Sequence, residues 1–276
     1  SDGGDRASVF QFIKGDICDL KVCSSILQNE RIDFIFHQAA LGSVPRSIEN
    51  PVATHNANAS GFLAVLAAAK NSQVKRIVYA SSSSVYGDSI DSPKQEKKIG
   101  KPLSPYAVSK LVNEFYADIF ARTYAMEIGG LRYFNIFGPK QNPKGAYAAA
   151  IPLFIDGLLH NKPVFINGDG EQSRDFTFVE NAVQANIRAM FCENKEALGT
   201  VFNIAVGEKI SVNQLFKALK KITGSSLQPT YCEERKGDVK NSLADITKAA
   251  RILGYKPTVK IEEGLKKTVD WFSNHL

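Results

Sequence analysis

The chain has 276 residues, 44% hydrophobic and 22% charged, which is ordinary for a globular protein and enough for one large or two small domains around a buried core. Its net charge is +6, from 34 Lys and Arg against 28 Asp and Glu, and the basic residues are scattered rather than clustered, which argues against a nucleic-acid footprint. The longest apolar stretch, Phe62 to Ala69, is too short to cross a bilayer, and no signal-peptide pattern is read at the start. Four cysteines (Cys18, Cys23, Cys192, Cys232) show neither CxxC pairing nor the density of a disulfide scaffold, so a cytoplasmic location without a metal site is expected.

In chain order, Val9 to Ile13 reads as a strand, followed by a helix near 20–28 and a strand at Asp33 to His37. A helix over 52–71, a strand at Arg76 to Ala80, a helix over 105–125 and a strand from Ile128 to Phe134 come next. Strand–helix alternation with continuous apolar strands predicts a parallel sheet covered by helices on both faces. After about residue 140 the rhythm loosens. Pro139, Pro143, Gly145 and Pro152 punctuate a loop before a helix at Phe154 to His160, and short strands follow at Val164 to Ile166 and Val201 to Ile204. Helices are expected near 179–193, 211–222, 245–253 and 261–273, with Ser211 as an N-cap and Gly224 as a stop. The fold class is therefore α/β. Residues 1–140, with parts of 178–206, form a doubly wound parallel sheet, and 141–276 form mainly a smaller mixed α/β lobe.

The chemistry begins at Tyr106-Ala107-Val108-Ser109-Lys110. Tyrosine and lysine four apart share one face of a helix, and an ammonium beside a phenol favours the phenolate. The Tyr106 pKa is therefore expected to fall toward neutrality, which suits a group that takes or returns a hydroxyl proton. Such a pair also fits the surface of an amphipathic helix. What distinguishes it is the earlier strand ending in Ser81-Ser82-Ser83-Ser84-Val85-Tyr86-Gly87. Ligands of open parallel sheets bind beyond the carboxyl ends of strands, where these hydroxyls would orient a substrate alcohol.

These motifs, with His37-Gln38-Ala39-Ala40 and Arg132-Tyr133-Phe134-Asn135-Ile136-Phe137-Gly138-Pro139, resemble the extended short-chain dehydrogenase/reductase superfamily, and within it the nucleotide-sugar epimerases and dehydratases. The resemblance runs from about Phe10 to the C-terminus and implies a Rossmann-type sheet, bound NAD and a UDP-sugar substrate. It implies that Asp16 and Ile17 meet the adenine, that Ala39 and Ala40 let the backbone approach the dinucleotide, and that Asn58 lies near its ribose. It makes Tyr106 the catalytic base, Lys110 its ribose-binding and pKa-lowering partner, and Ser82 and Ser83 the contacts to the substrate hydroxyl. Tyr133 and Phe134 would flank the nicotinamide, and Asn135 would meet the diphosphate. In the second lobe, Arg174 and Arg235 would reach the phosphates, Asp238 the ribose, and the backbone at Val164 and Phe165 would wall the uracil.

Dehydratases and decarboxylases of this superfamily usually carry an acid just before Val-Tyr-Gly; Ser84 stands there instead, which favours simple 4-epimerisation through a 4-keto sugar. Ser242, where glucose-restricted epimerases carry a tyrosine, leaves room for an N-acetyl group, and Leu41 to Ser47, including Ser43, resembles the loop of N-acetyl-sugar epimerases. The expectation is a UDP-N-acetylglucosamine 4-epimerase. The alternatives are a UDP-glucose/galactose or UDP-N-acetylhexosaminuronate 4-epimerase, or a non-catalytic nucleotide-sugar binding fragment. Helices 52–71 and 105–125 resemble the pair that builds a homodimer interface. No glycine-rich GxxGxxG turn occurs in the chain, so the dinucleotide fold is expected to be N-terminally truncated by roughly 50–60 residues, with exposed apolar edges, weak NAD binding and aggregation.

Overall fold

The computed structural model describes residues 10–144, 148–234 and 240–275. The chain runs α1 (Leu20–Asn29), β1 (Phe34–His37), α2 (Val44–Glu49), α3 (Pro51–His55), a π-helical turn (Asn56–Ser60) and α4 (Gly61–Lys70). Next come β2 (Arg76–Ser82), α5 (Pro105–Tyr124), β3 (Ile128–Tyr133), β4 (Ile136–Phe137), α6 (Ala150–Leu159), β5 (Phe165–Asn167), β6 (Ser173–Arg174), β7 (Thr177–Phe178) and α7 (Val179–Met190). The remaining elements are β8 (Thr200–Ile204), β9 (Ile210–Ser211), α8 (Val212–Thr223), β10 (Thr230–Cys232), β11 (Asn241–Ser242), α9 (Thr247–Leu253) and α10 (Ile261–His275).

The main sheet is parallel, in the order β1-β2-β3-β8. Successive β2 residues serve opposite faces. Ile77 and Tyr79 pack with Leu27 of α1, Phe62 and Leu66 of α4 and Phe120 of α5, whereas Val78 packs with Ala185 of α7 and Ile252 of α9. Both faces are therefore covered, and the strand is buried along nearly its whole length. The second core gathers α6, α8 and α10 through Phe154, Phe216 and Phe272. Around it lie the small pairings β10-β5, β11-β6-β9 and β4-β7. Ser211 caps α8 through a reciprocal bond with Gln214, and Gly224 ends it in the left-handed conformation. No helix among the described residues is long and apolar enough to cross a membrane.

One expectation is corrected. Residues 10–13 are not a strand, and Phe10 and Phe12 are 80% and 78% exposed. A strand needs an edge to pair with, and among the described residues β1 pairs only with β2. The outer side of β1 shows Phe34 and Phe36 exposed, with Phe34 meeting Phe191 edge-on at 5.4 Å. The helix expected over 52–71 is present from 51 to 70, with a π-turn that carries Asn58 between α3 and α4. Such bulges recur where a side chain is re-aimed toward a site.

The serine-rich end of β2 closes on Gly87, where φ is +52° and an added Cβ would lie 1.8 Å from the Lys101 carbonyl oxygen. Gly87→Ala is expected to destabilise the fold by more than about 1 kcal/mol in urea denaturation; an unchanged midpoint would contradict the tight turn.

Candidate active site

The carboxyl ends of the parallel strands bring His37, Ser82, Tyr133 and Ile204 to one end of the sheet. Beside them stands the first turn of α5, which Ser104 caps by accepting from the Ala107 amide at 3.2 Å. Tyr106 is half-buried there, beside the Ser82 hydroxyl, which acts on it to favour the phenolate. Ser82 also accepts from the Ser84 amide at 3.1 Å, which aims its oxygen at the start of the 3-10 turn formed by Ser83 to Tyr86. Ser83 is half-buried in that turn. Lys110 is buried and donates to the Ala80 carbonyl at 2.8 Å. Tyr106, Lys110, Ser82 and Ser83 thus converge at the strand tip.

The electrostatics differ from the expectation. The Tyr106 phenol is pushed above its usual value by burial, and the neighbouring Ser82 hydroxyl acts in the opposite direction. Lys110 sits 6.0 Å from the ring centroid, turned onto Ala80, and burial pulls its own pKa down to about 8. In this state Ser82, rather than Lys110, is the group that favours the phenolate.

The loop after β1 leaves Ala39 and Ala40 exposed. Asn58 holds it from beneath, accepting from Leu41 N at 2.7 Å and donating from Nδ2 to the Leu41 carbonyl and to Ser109 Oγ, each at 3.1 Å. Asn58 therefore shapes this loop with both ends of its amide. Ser43, at a φ of 103°, caps α2 by accepting from the Arg46 amide. Exposed Asp16 accepts from Cys18 N in the turn before α1, and Ile17 packs against the core. Tyr133 is tied through its hydroxyl to Gln38 at 3.2 Å and Asn186 at 2.6 Å. Phe134 is fully buried among Val85, Tyr86 and Ala205, so it cannot flank a ligand.

A cleft of about 310 Å³ opens two residues beyond β3, lined by Asn135, Phe165, Asn167, Gln172, Arg174 and Phe176 among others. Asn135 adopts a φ of 39° and donates to the Asp175 carbonyl at 2.9 Å. Val164 stands behind the wall. Its side chain is in the core and its carbonyl accepts from Thr230, so Phe165 alone of the expected pair faces the cleft. Ser242 lies beside Arg174 in the β11-β6 register. Arg235 and Asp238 lie outside the described residues.

Several site-shaping residues escaped the sequence reading. Asp175 is fully buried, and its carboxylate accepts from Val206, Gly207 and Ala244, joining the cleft wall to the loop after β8 and to the stretch that follows β11. Burial pushes this carboxyl up to about 7, against the pull of the three amides. Nothing in its position beside Arg174 reveals such burial. Glu114, four residues past Lys110, continues the spacing that singled out Tyr106, and that signal was available.

Comparison with known proteins fixes the family. The family model described as GDP-mannose 4,6 dehydratase matches residues 2–268. The chain belongs to this family. It is an extended short-chain dehydrogenase/reductase with the Rossmann-type sheet expected. A protein of Methanocaldococcus jannaschii described as a putative UDP-glucose 4-epimerase is 37% identical over 96% of this chain and 85% of its own length. The UDP-N-acetylglucosamine 4-epimerase of Methanobrevibacter ruminantium, solved with UDP-N-acetylmuramic acid, superposes with a TM-score of 0.89 at 38% identity, covering 96% of this chain and 83% of the other. The UDP-glucuronic acid 4-epimerase of Bacillus cereus, solved with UDP-glucuronic acid and NAD, gives 0.89 at 32% identity, covering 98% and 85%.

His37 provides a pH test. It is buried against Phe62 at 5.0 Å, and its Nε2 has no hydrogen-bond partner among the described residues. Burial, aided by the Lys110 charge, lowers its pKa from 6.5 to about 4. The unfolded chain therefore binds the extra proton first, so stability is complete above pH 6.5 and falls as pH drops toward 4. His37→Leu is expected to flatten this part of the stability–pH curve in urea titrations; an identical slope would contradict the assignment.

Proposed function

We propose that the protein is a UDP-N-acetylglucosamine 4-epimerase working through NAD. The observation that carries this reading is the convergence of Tyr106 and Ser82 at the tip of β2, with Lys110 held beneath on the Ala80 carbonyl at 2.8 Å. The residues fit the nicotinamide-ribose end of a dinucleotide. Ala39 and Ala40 leave the backbone open above β1, and only one of the three Lys110 ammonium protons is directed to Ala80. Asp16 and Ile17 form the adenine end in this reading, Asn58 supports the loop, and Tyr133 borders the nicotinamide. When bound, NAD takes a hydride from C4 of the sugar and returns it to the opposite face.

The protein's own groups do the rest. Ser82 and Ser83 orient the C4 hydroxyl, and Tyr106, beside Ser82, removes and later restores its proton. The cleft takes the UDP moiety, with Arg174 and Asn135 at the diphosphate and Phe165 against the base. Arg235 and Asp238 complete that grip in this reading. Ser84 supplies no acid for dehydration, and Ser242, beside Arg174, leaves space for an acyl group.

Incubation with NAD and UDP-GlcNAc is expected to yield UDP-GalNAc, with Tyr106→Phe losing about 10²- to 10⁴-fold in kcat while keeping UDP affinity. Ser242→Tyr is expected to abolish turnover of the N-acetyl sugar and spare UDP-galactose; equal loss on both would refute the pocket argument. UDP binding without turnover of UDP-GlcNAc, UDP-glucose or an N-acetylhexosaminuronate would identify a nucleotide-sugar binding protein instead.

A homodimer is part of the proposal. Val108, Phe115 and Ile119 form an exposed stripe on α5, and Val52 on α3 and Ile48 on α2 are exposed on the helices packed against it. Such a stripe is what a partner helix pair would cover. Phe115→Glu is expected to convert the dimer to a monomer in light scattering; a parent that is already monomeric would remove the interface.

A further inference from the structure

Beneath the catalytic hydroxyls lies a charged group that the proton transfer itself does not use. Glu114 is buried and its carboxylate is saturated. Oε1 accepts from Ser81 Oγ at 2.5 Å and from Arg132 Nε at 2.8 Å, and Oε2 accepts from Arg132 Nη2 at 2.7 Å. The pair is almost wholly enclosed, with side chains 8% and 3% exposed. Arg132 Nη1 donates to the Glu96 carbonyl at 3.0 Å, and its guanidinium lies 4.9 Å from the centre of the Tyr86 ring. Tyr86 in turn donates to Asn203 Oδ1 at 2.6 Å. The pair therefore joins α5 and β3 to Ser81 of β2 and to the Tyr86 and Glu96 segment that follows it, and through Tyr86 to Asn203 of β8.

The pattern on α5 is regular. Tyr106, Lys110 and Glu114 stand on successive turns of one helix face. Lys110 donates to the Ala80 carbonyl, Glu114 accepts from the Ser81 hydroxyl, and Tyr106 stands beside Ser82, so the three face adjacent residues of β2. Ser81 is thus flanked by the two atoms that hold the catalytic pair. A buried ion pair is often no more stabilising than apolar residues of the same volume, so stability alone does not explain charges here. Fixing one register among several is the better-attested use of such a pair.

We propose that Glu114, together with Arg132, is a positioning residue of the epimerase site, locking Ser81 and thereby the register in which α5 presents Tyr106 and Lys110 to the strand tip. This rests on the reading of Tyr106 as the proton-transferring group. Glu114 touches no substrate atom in this account and acts through Ser81.

The test replaces both charges at once, because Glu114→Gln alone strands the Arg132 charge. Glu114→Leu/Arg132→Met is expected to fold, with UDP affinity and KM within about two-fold of the parent, since the cleft is lined by other residues. Its kcat on UDP-GlcNAc is expected to fall about 10-fold or more through misplacement of the phenol. The Tyr106 signal in a ¹³C-tyrosine NMR titration, assigned with Tyr106→Phe, is expected to move to higher pH as Ser82 loses its support. Ser81→Ala, which removes a single hydroxyl and leaves the ion pair intact, decides the question if the paired variant does not fold, and the same two changes are expected there. Parental kcat with an unmoved titration in either folded variant would show an ion pair of structural use only. If the parent turns over no UDP-sugar, the functional reading fails and the titration alone decides the positioning.

Discussion

The structure depends on the docking of α5 across the end of β2. Three turns of one helix meet three consecutive strand residues, with ammonium bonded to carbonyl and carboxylate to hydroxyl, and the phenol beside the Ser82 hydroxyl. Polar contacts in a buried seam tolerate little displacement, because a slipped donor or acceptor is left without water or protein to satisfy it. Losing one member of the buried Glu114–Arg132 pair would cost about 3–5 kcal/mol. The same seam that makes the helix pack therefore also makes it pack in one register. Catalytic geometry is a consequence of how the sheet is covered.

The second lobe is attached by a parallel device. Asp175 gathers the amides of Val206, Gly207 and Ala244, while its own carbonyl receives Asn135. Three segments, the loop after β8, the stretch after β11 and the turn at Asn135, are thus tied to one residue. Arg174 and Phe176, its neighbours, face the opening. A carboxylate buried this deeply is tolerated because three backbone donors meet it, although burial still raises its pKa to about 7. The phenol at the strand tip and the cleft beyond β3 are held by two separate networks, so each is open to mutation without the other.

Much of this was legible in the sequence. The β2, β3 and β8 strands, the helix from Pro105 and the cap at Ser211 all follow from periodicity and capping chemistry. The approach of Tyr106 to Ser82 followed from i+4 spacing and from where parallel sheets bind ligands. Three things were not legible, each for a physical reason. Residues 10–13 have strand composition, but strand formation needs a partner edge, which composition does not encode. Asn58 and Phe134 belong to the right motifs, but only tertiary packing shows one pinning Leu41 and the other sealed in the core. The direction of the Tyr106 shift depends on desolvation and on where Lys110 points, and spacing fixes neither.

The central claim is that the strand-tip hydroxyl, and not the neighbouring ammonium, tunes the phenol in the cofactor-free protein. The most direct measurement is the Tyr106 titration followed by ¹³C-tyrosine NMR in Ser82→Ala and in Lys110→Met. The account predicts an upward shift with Ser82→Ala and little change with Lys110→Met. A phenol that ignores Ser82→Ala and rises with Lys110→Met would contradict it.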